Sequence, residues 1–226
     1  MKLIPIILLA VFLLTPVVGS AHLPRLVESN ITNVENPEVS QAFYGELKGV
    51  PDIYVIESDI SFKLYASLLV PATEGIEKDL SVKICRKESD DDDDVNCTVL
   101  DGMSHEWTLY YEEFGGDYYY NGPELVANQD GKTVKGINAE PGIYTLKVFS
   151  PDNKGKYVLV VGEKEKWTAT ELLNTVYLMP QLKSDFFERP AHEAYFNIFG
   201  VFIILIVISG TGAIWVLVRK YRRKGK

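Results

Sequence analysis

Period-two alternation dominates the middle of the chain. In "SFKLYASLLV" (61–70), Phe62, Leu64, Ala66, Leu68 and Val70 fall on one face. In "GIYTLKVFS" (142–150), Tyr144, Leu146 and Val148 alternate with Thr145 and Lys147. Similar runs are "DIYVIES" (52–58), "LSVKICR" (80–86), "NCTVL" (96–100), "EWTLY" (106–110), "GKTVKGI" (131–137) and "GKYVLVVGE" (155–163). Turn-forming "PATEG", "NQDG", "EPG" and "SPDNKG" separate several of them. The pattern predicts a mainly β fold: an antiparallel β-sandwich, immunoglobulin-like or jelly-roll.

One stretch departs from it. "WTATELLNTVYLMP" (167–180) offers Thr168 and Glu171 as a capping box, places Leu172, Leu173, Val176 and Tyr177 on one helical face, and meets Pro180 at its end. A short amphipathic helix is expected here. Its polar side is not basic, which favours packing on the sandwich over lying on a membrane. A juxtamembrane stem (181–193) follows.

The ends of the chain set its topology. Residues 1–21 carry Lys2, an apolar run and then Gly19, Ser20 and Ala21, the pattern of a secretory signal peptide. Residues 195–218 contain no charge, long enough to cross about 30 Å of hydrocarbon as a transmembrane helix. Arg219, Lys220, Arg222, Arg223, Lys224 and Lys226 then mark a cytoplasmic tail, 219–226. The expected order is signal peptide, β-sandwich ectodomain (22–166), helix and stem (167–194), membrane helix (195–218) and tail. Within the span, Ser209, Gly210, Gly212 and Ala213 form a small-residue face suited to a weak homodimer.

Charge narrows the partners. The net charge of −8 hides an asymmetry: with Lys2 and the six tail cations set aside, all 31 acids stand against 16 basic residues, a net of −15. So acidic an ectodomain excludes nucleic acid, whose phosphates require a basic face.

Candidate chemistry is sparse. Cys85 and Cys97 flank "RKESDDDDDVN" on consecutive strands, and outside the cytoplasm a disulfide closing that hairpin is the natural reading. Five consecutive aspartates (90–94) send side chains in opposing directions, which suits a solvated loop better than a calcium site. Asn30 and Asn96 each begin a glycosylation sequon. No nucleophile elbow, zinc-protease motif or phosphate loop is present, and adjacent carboxylates such as Glu112 and Glu113 face opposite ways on a strand. An enzyme is not expected.

The strongest binding candidate is aromatic. Trp107, Tyr110, Tyr111, Phe114, Tyr118, Tyr119 and Tyr120 cluster in or beside "LYYEEFGGDYYYNGPEL" (109–125) among acids. Tyrosine offers large area with a polar tip, suited to a protein or glycan partner. The competing reading is that this long connection folds over one end of the sandwich and buries its own rings. Function is thus expected to be that of a membrane-anchored binding or structural module with an acidic, Tyr-rich surface, needing no cofactor.

Through "PEVSQAFYGELKGVPDIYVI", "LLVP", "HEWTLYYEEFGGDYYYNGPE" and "PGIYTLKVFSPDNKGKYVLVVGE" the chain resembles a family of prokaryotic single-pass membrane proteins with a secreted β-sandwich ectodomain. The resemblance implies architecture and topology and brings no functional residue. "GIYTLKVFSPDNKGKYVLVV" (142–161) is also similar to the closing strands of the non-catalytic jelly-roll domains that accompany secreted bacterial peptidases.

A cut after Ala21 would make His22 the first residue, and such a chain resembles periplasmic copper carriers and lytic monooxygenases, where the terminal amine and imidazole hold Cu(II). An amine with a pKa near 8 deprotonates readily when Cu(II) competes for it. The alternative function is therefore copper binding by His22 with His105. Pro24 removes one backbone nitrogen ligand, and His192 is the other candidate partner.

Overall fold

A strand whose residues are apolar at nearly every position must be covered on both faces, and "KYVLVV" is such a strand. In the computed structural model, which describes residues 22–87 and 95–224, it forms the end of β15 (Lys154–Val161). Tyr157, Leu159 and Val161 face a core between two sheets, while Val158 and Val160 face a second core under a helical layer.

Among the described residues the protein is mainly β, with two multi-stranded sheets stacked as a sandwich and two α-helices, the second of them long, apolar and C-terminal. One sheet has six strands in the order β1-β3-β15-β6-β10-β9. These are β1 (Leu23–Leu26), β3 (Gln41–Lys48), β6 (Ala66–Pro71), β9 (Thr108–Glu112) and β10 (Asp117–Glu124) together with β15. The other has five, in the order β2-β4-β14-β7-β8. Its members are β2 (Ile31–Asn33), β4 (Asp52–Ser58), β7 (Ser81–Lys87), β8 (Val95–Leu100) and β14 (Gly142–Phe149). Two small sheets pair β5 (Phe62–Leu64) with β13 (Ile137–Ala139) and β11 (Val126–Gln129) with β12 (Lys132–Lys135).

Most pairings are antiparallel, but β1 runs parallel to β3 and β2 parallel to β4. The alternation expected of 142–150 holds: Tyr144, Leu146 and Val148 are buried in the inter-sheet core. The run 61–70 divides into β5 and β6, and the aromatic connection proves to be a hairpin whose second strand, β10, lies inside the six-stranded sheet. Cys85 and Cys97 form a disulfide between β7 and β8.

Two buried hydroxyls tie the sheets together. Tyr157 donates to Asp52 Oδ2 at 2.6 Å and lies 2.8 Å from the Tyr54 hydroxyl, so a polar chain crosses the core from β15 to β4. Gly45 on β3 makes room for it, because a Cβ there would stand 2.4 Å from Cζ of Tyr157.

Helix α1 (Ala169–Gln181) covers the outer face of the six-stranded sheet. Thr168 caps it, its Oγ1 accepting the Glu171 amide at 3.2 Å. The Glu171 carboxylate turns instead to the Arg25 guanidinium on β1, with bonds of 2.8 and 2.9 Å. Leu172, Thr175, Val176 and Met179 face the sheet, whereas Leu173 and Tyr177, expected on the same face, point away from it. Pro180 does not end the helix, which passes into a π-helical turn (Leu182–Phe186). The residues read from sequence as a stem are packed: Leu182, Phe186, Phe187 and Ala194 are buried with Ala42, Tyr119 and Val158.

After a 3-10 turn (Ala191–Tyr195) comes α2 (Ile198–Lys224). Its Ile198–Arg223 stretch is long and apolar enough to span a membrane, about 39 Å at the rise of an α-helix. Such a span and a disulfide are together consistent with an extracytoplasmic domain. The signal peptide (1–21), the aspartate run (90–94) and Lys226 lie outside the described residues.

Candidate functional site

The seven aromatic residues divide according to the register of β9 against β10. Glu112 stands opposite Asp117, Tyr111 opposite Tyr118, Tyr110 opposite Tyr119 and Leu109 opposite Tyr120. Alternation then sends Asp117 and Tyr119 to the face that α1 covers, and Tyr118 and Tyr120 to the other.

Tyr119 is buried, its hydroxyl 3.2 Å from that of Tyr44, its ring edge-on to Phe187. Phe114 is half-buried between Trp167 and Phe199. Trp107 donates to the Gly102 carbonyl at 2.8 Å and packs on the inter-sheet core, and Tyr120 lies partly buried beneath the Lys78 ammonium. These four rings serve the fold. Tyr110, Tyr111 and Tyr118 are exposed with Leu109, and the Tyr111 and Tyr118 rings meet at 4.7 Å. The three exposed tyrosines lie on or beside β9, the last strand of its sheet, and no described strand pairs with its outer side.

The turn of the same hairpin meets the long helix. Glu112 shapes it: its two carboxylate oxygens accept the amides of Phe114 at 2.8 Å and Gly115 at 2.6 Å. Gly116 adopts a φ of +73°, and a Cβ there would lie 2.9 Å from Cβ of Asn197. The outward carbonyls are taken by the C-terminal segment. Phe114 O accepts the Phe199 amide at 3.2 Å, and Gly115 O accepts Lys183 Nζ at 2.9 Å and Asn197 Nδ2 at 2.6 Å. Asn197 Oδ1 also accepts the Gly200 amide at 2.9 Å, capping α2. One turn of backbone thus joins the six-stranded sheet to the first turn of the apolar helix.

Beneath this joint Lys183 bonds Asp117 at 2.5 Å, and Arg189 reaches the same carboxylate oxygen at 3.2 Å. Burial raises the Asp117 carboxyl above its ordinary range, while the two cations pull it back. Burial likewise raises Glu112, against the two amides that hold its ionised form.

A narrow cleft of about 60 Å³, partly open to solvent, runs between the sheet's outer face and α1. His22, Ala42, Glu112, Tyr119, Val160 and Met179 are among its walls. His22 Nδ1 lies against Ser40 Oγ, and burial with repulsion from Lys135 pulls its imidazole down to about 4.

The histidines proposed to share a metal are not brought together. His22 precedes β1 and His105 precedes β9, the opposite edges of the six-stranded sheet, with five spacings of about 4.8 Å between those strands. His105 is exposed, its ring 6.2 Å from that of Trp107, and His192 stacks edge-on against Phe196. Among the described residues no group of three or more His, Cys, Asp or Glu side chains could hold a metal. In the long helix, an added Cβ at Gly210 or Gly212 meets nothing within 4 Å, so the small face is open in a single chain.

Sequence reasoning missed Lys183, Asp117, Arg189 and Asn197. The available signal was Lys183 following the apolar face of the predicted helix and preceding Phe186 and Phe187 in "YLMPQLKSDFF", since a cation held among such residues is buried only if paired.

No protein-family model matches the sequence, and no curated protein matches it. Among solved structures, a distant match is the pre-peptidase C-terminal domain of a collagenase from Bacillus anthracis, at 16% identity over 63% of this chain and 97% of that one, with a TM-score of 0.29. A second is CorA, a surface-associated copper-binding protein of Methylomicrobium album BG8, at 12% identity over 64% of this chain and 87% of that one, with a TM-score of 0.20.

Proposed function

We propose that the protein is a membrane-anchored extracytoplasmic binding module that offers the β9 edge to the extended strand of a protein partner. The observation that carries this reading is the exposure of Leu109, Tyr110 and Tyr111 on an edge strand whose outer side no described strand covers, with exposed Tyr118 beside them on β10. An open edge presents unpaired amides and carbonyls to an incoming chain. Strand addition takes affinity from those groups and specificity from alternating side chains, here Tyr110 on one face and Leu109 with Tyr111 on the other. Exposed tyrosines supply contact area at low entropic cost.

The anchor is α2, the N-terminal domain lies outside and the basic tail lies in the cytoplasm, after removal of residues 1–21. Support comes from the apolar length of α2 and the cations that follow it. Repeated crossing of the chain between sheets, as from β3 to β4 and from β6 to β7, supports a sandwich of the jelly-roll or immunoglobulin-like type.

The test is photo-crosslinking in native membranes, with benzoylphenylalanine placed at Leu109 or, as control, at Lys147 on the far sheet. A discrete adduct from position 109 that is absent from 147, and that is lost on Tyr110→Ala and Tyr111→Ala substitution, is the expected result. Equal labelling from both positions, or none from 109, would contradict it.

A further inference from the structure

Helix α1 has two apolar faces, and the sheet covers one. On the other, Leu173 and Tyr177 stand four residues apart, one above the other, each 69% exposed. Phe196, immediately before the cap of α2, is 79% exposed. The Tyr195 hydroxyl donates to the Val176 carbonyl at 3.3 Å, so the residues leading into α2 lie along the flank of α1. The fold therefore leaves three large apolar side chains in water beside the point where the apolar helix begins.

The neighbouring charges suit a low-dielectric boundary. Glu171 is paired with Arg25, Glu193 with Arg189 and Glu188 with Lys156, while Lys183 is buried on Asp117. Asp185, bonded to Ser184, is the exposed exception. No cluster of basic residues lines this flank, so an acidic surface has nothing to hold here.

We propose that Leu173, Tyr177 and Phe196 rest in the headgroup region of the outer leaflet, so that α1 lies between the sheet and a bilayer of zwitterionic lipid. The proposal rests on the reading of α2 as a membrane anchor. Continuity argues for lipid as the occupant: the apolar flank runs into the first turn of the spanning helix, and any bilayer holding that helix begins within a turn of Phe196. Tyrosine and phenylalanine are favoured at that depth, where a ring meets acyl chains and a hydroxyl stays wet. The ectodomain then lies against the membrane, with the β9 hairpin turn and α1 as its two contacts.

Nitroxide labels on the full-length protein in phosphatidylcholine nanodiscs test this. Single cysteines replace Leu173, Tyr177 or Phe196, with Lys147→Cys as the water control and Ile206→Cys as the anchor control. Power saturation compares access to oxygen with access to a water-soluble nickel chelate. The expected ratio at 173, 177 and 196 is several-fold above that at 147 and below that at 206. Ratios at 173 and 177 equal to that at 147, with 206 still shielded, would overturn the lipid contact and leave the anchor intact. Nickel access at 206 equal to that at 147 would remove the anchor, and the proposal with it.

Discussion

Lys183 Nζ stands 2.5 Å from Asp117 Oδ1, the two side chains 1% and 3% exposed and 66 residues apart in the chain. The pair fastens the π-helical turn after α1 to the strand that leaves the hairpin turn. Removing one partner strands a charge in the interior. Lys183→Met should destabilise the protein by about 3–5 kcal/mol, while Asp117→Asn combined with Lys183→Met should cost much less. Denaturant midpoints of the full-length protein in micelles check this, and equal midpoints for the single and double variants would contradict it.

The Tyr157 hydroxyl crosses the sandwich only because Gly45 has no side chain. Gly45→Ala puts a methyl inside the ring's volume and should lower stability by about 1–3 kcal/mol. Tyr157→Phe keeps the ring but leaves buried Asp52 without that donor, at a cost of about 1–3 kcal/mol. The two losses should fall short of additive in the double variant, measured by the same denaturation, because both act on one ring.

The pH dependence has two opposing parts. The His22 imidazole is depressed to about 4 from 6.5, so its contribution to stability is full above 6.5 and is lost as pH falls through 4. Asp117 has the opposite sign: with its folded value raised above 3.8, its contribution is present below 3.8 and is lost as pH rises through the folded value. Thermal unfolding followed from pH 7 to pH 4 should therefore show a smaller acid loss in His22→Gln than in the wild type. An identical slope would contradict the desolvation of the half-buried ring.

The Cys85–Cys97 bridge closes a separation of 12 residues across the β7–β8 hairpin. Replacing both cysteines by serine should cost about 2–3 kcal/mol, with the wild type dropping by a similar amount under reductant. Midpoints measured with and without reductant decide it.

Much of the fold was legible because the five-stranded sheet turns one face to water. The outward Thr145 and Lys147 of β14 give a clear period of two, and Thr168 at a helix start is a local signal that needs no tertiary context. Strands β3 and β10 were harder. The first three residues of β3 are buried together, so its alternation fades, and the Gly122-Pro123 pair in β10 reads as a turn. The joint was illegible for a different reason: Lys183, Asp117 and Asn197 acquire meaning only when segments about 70 residues apart meet. The aromatic cluster was visible as composition, but its division into four structural rings and three exposed tyrosines depends on strand register. The placement of His22 and His105 at opposite edges of one sheet was equally invisible, because spacing in sequence says nothing of which sheet edge a residue reaches.

The sandwich and the long apolar helix form one docked unit, held at the β9–β10 turn. Pulsed electron paramagnetic resonance between nitroxides at Glu113→Cys and Val201→Cys, in full-length protein in phosphatidylcholine nanodiscs, measures this most directly. A single narrow distance distribution is expected. A broad distribution, as from a sandwich swinging on a flexible stem, would contradict it.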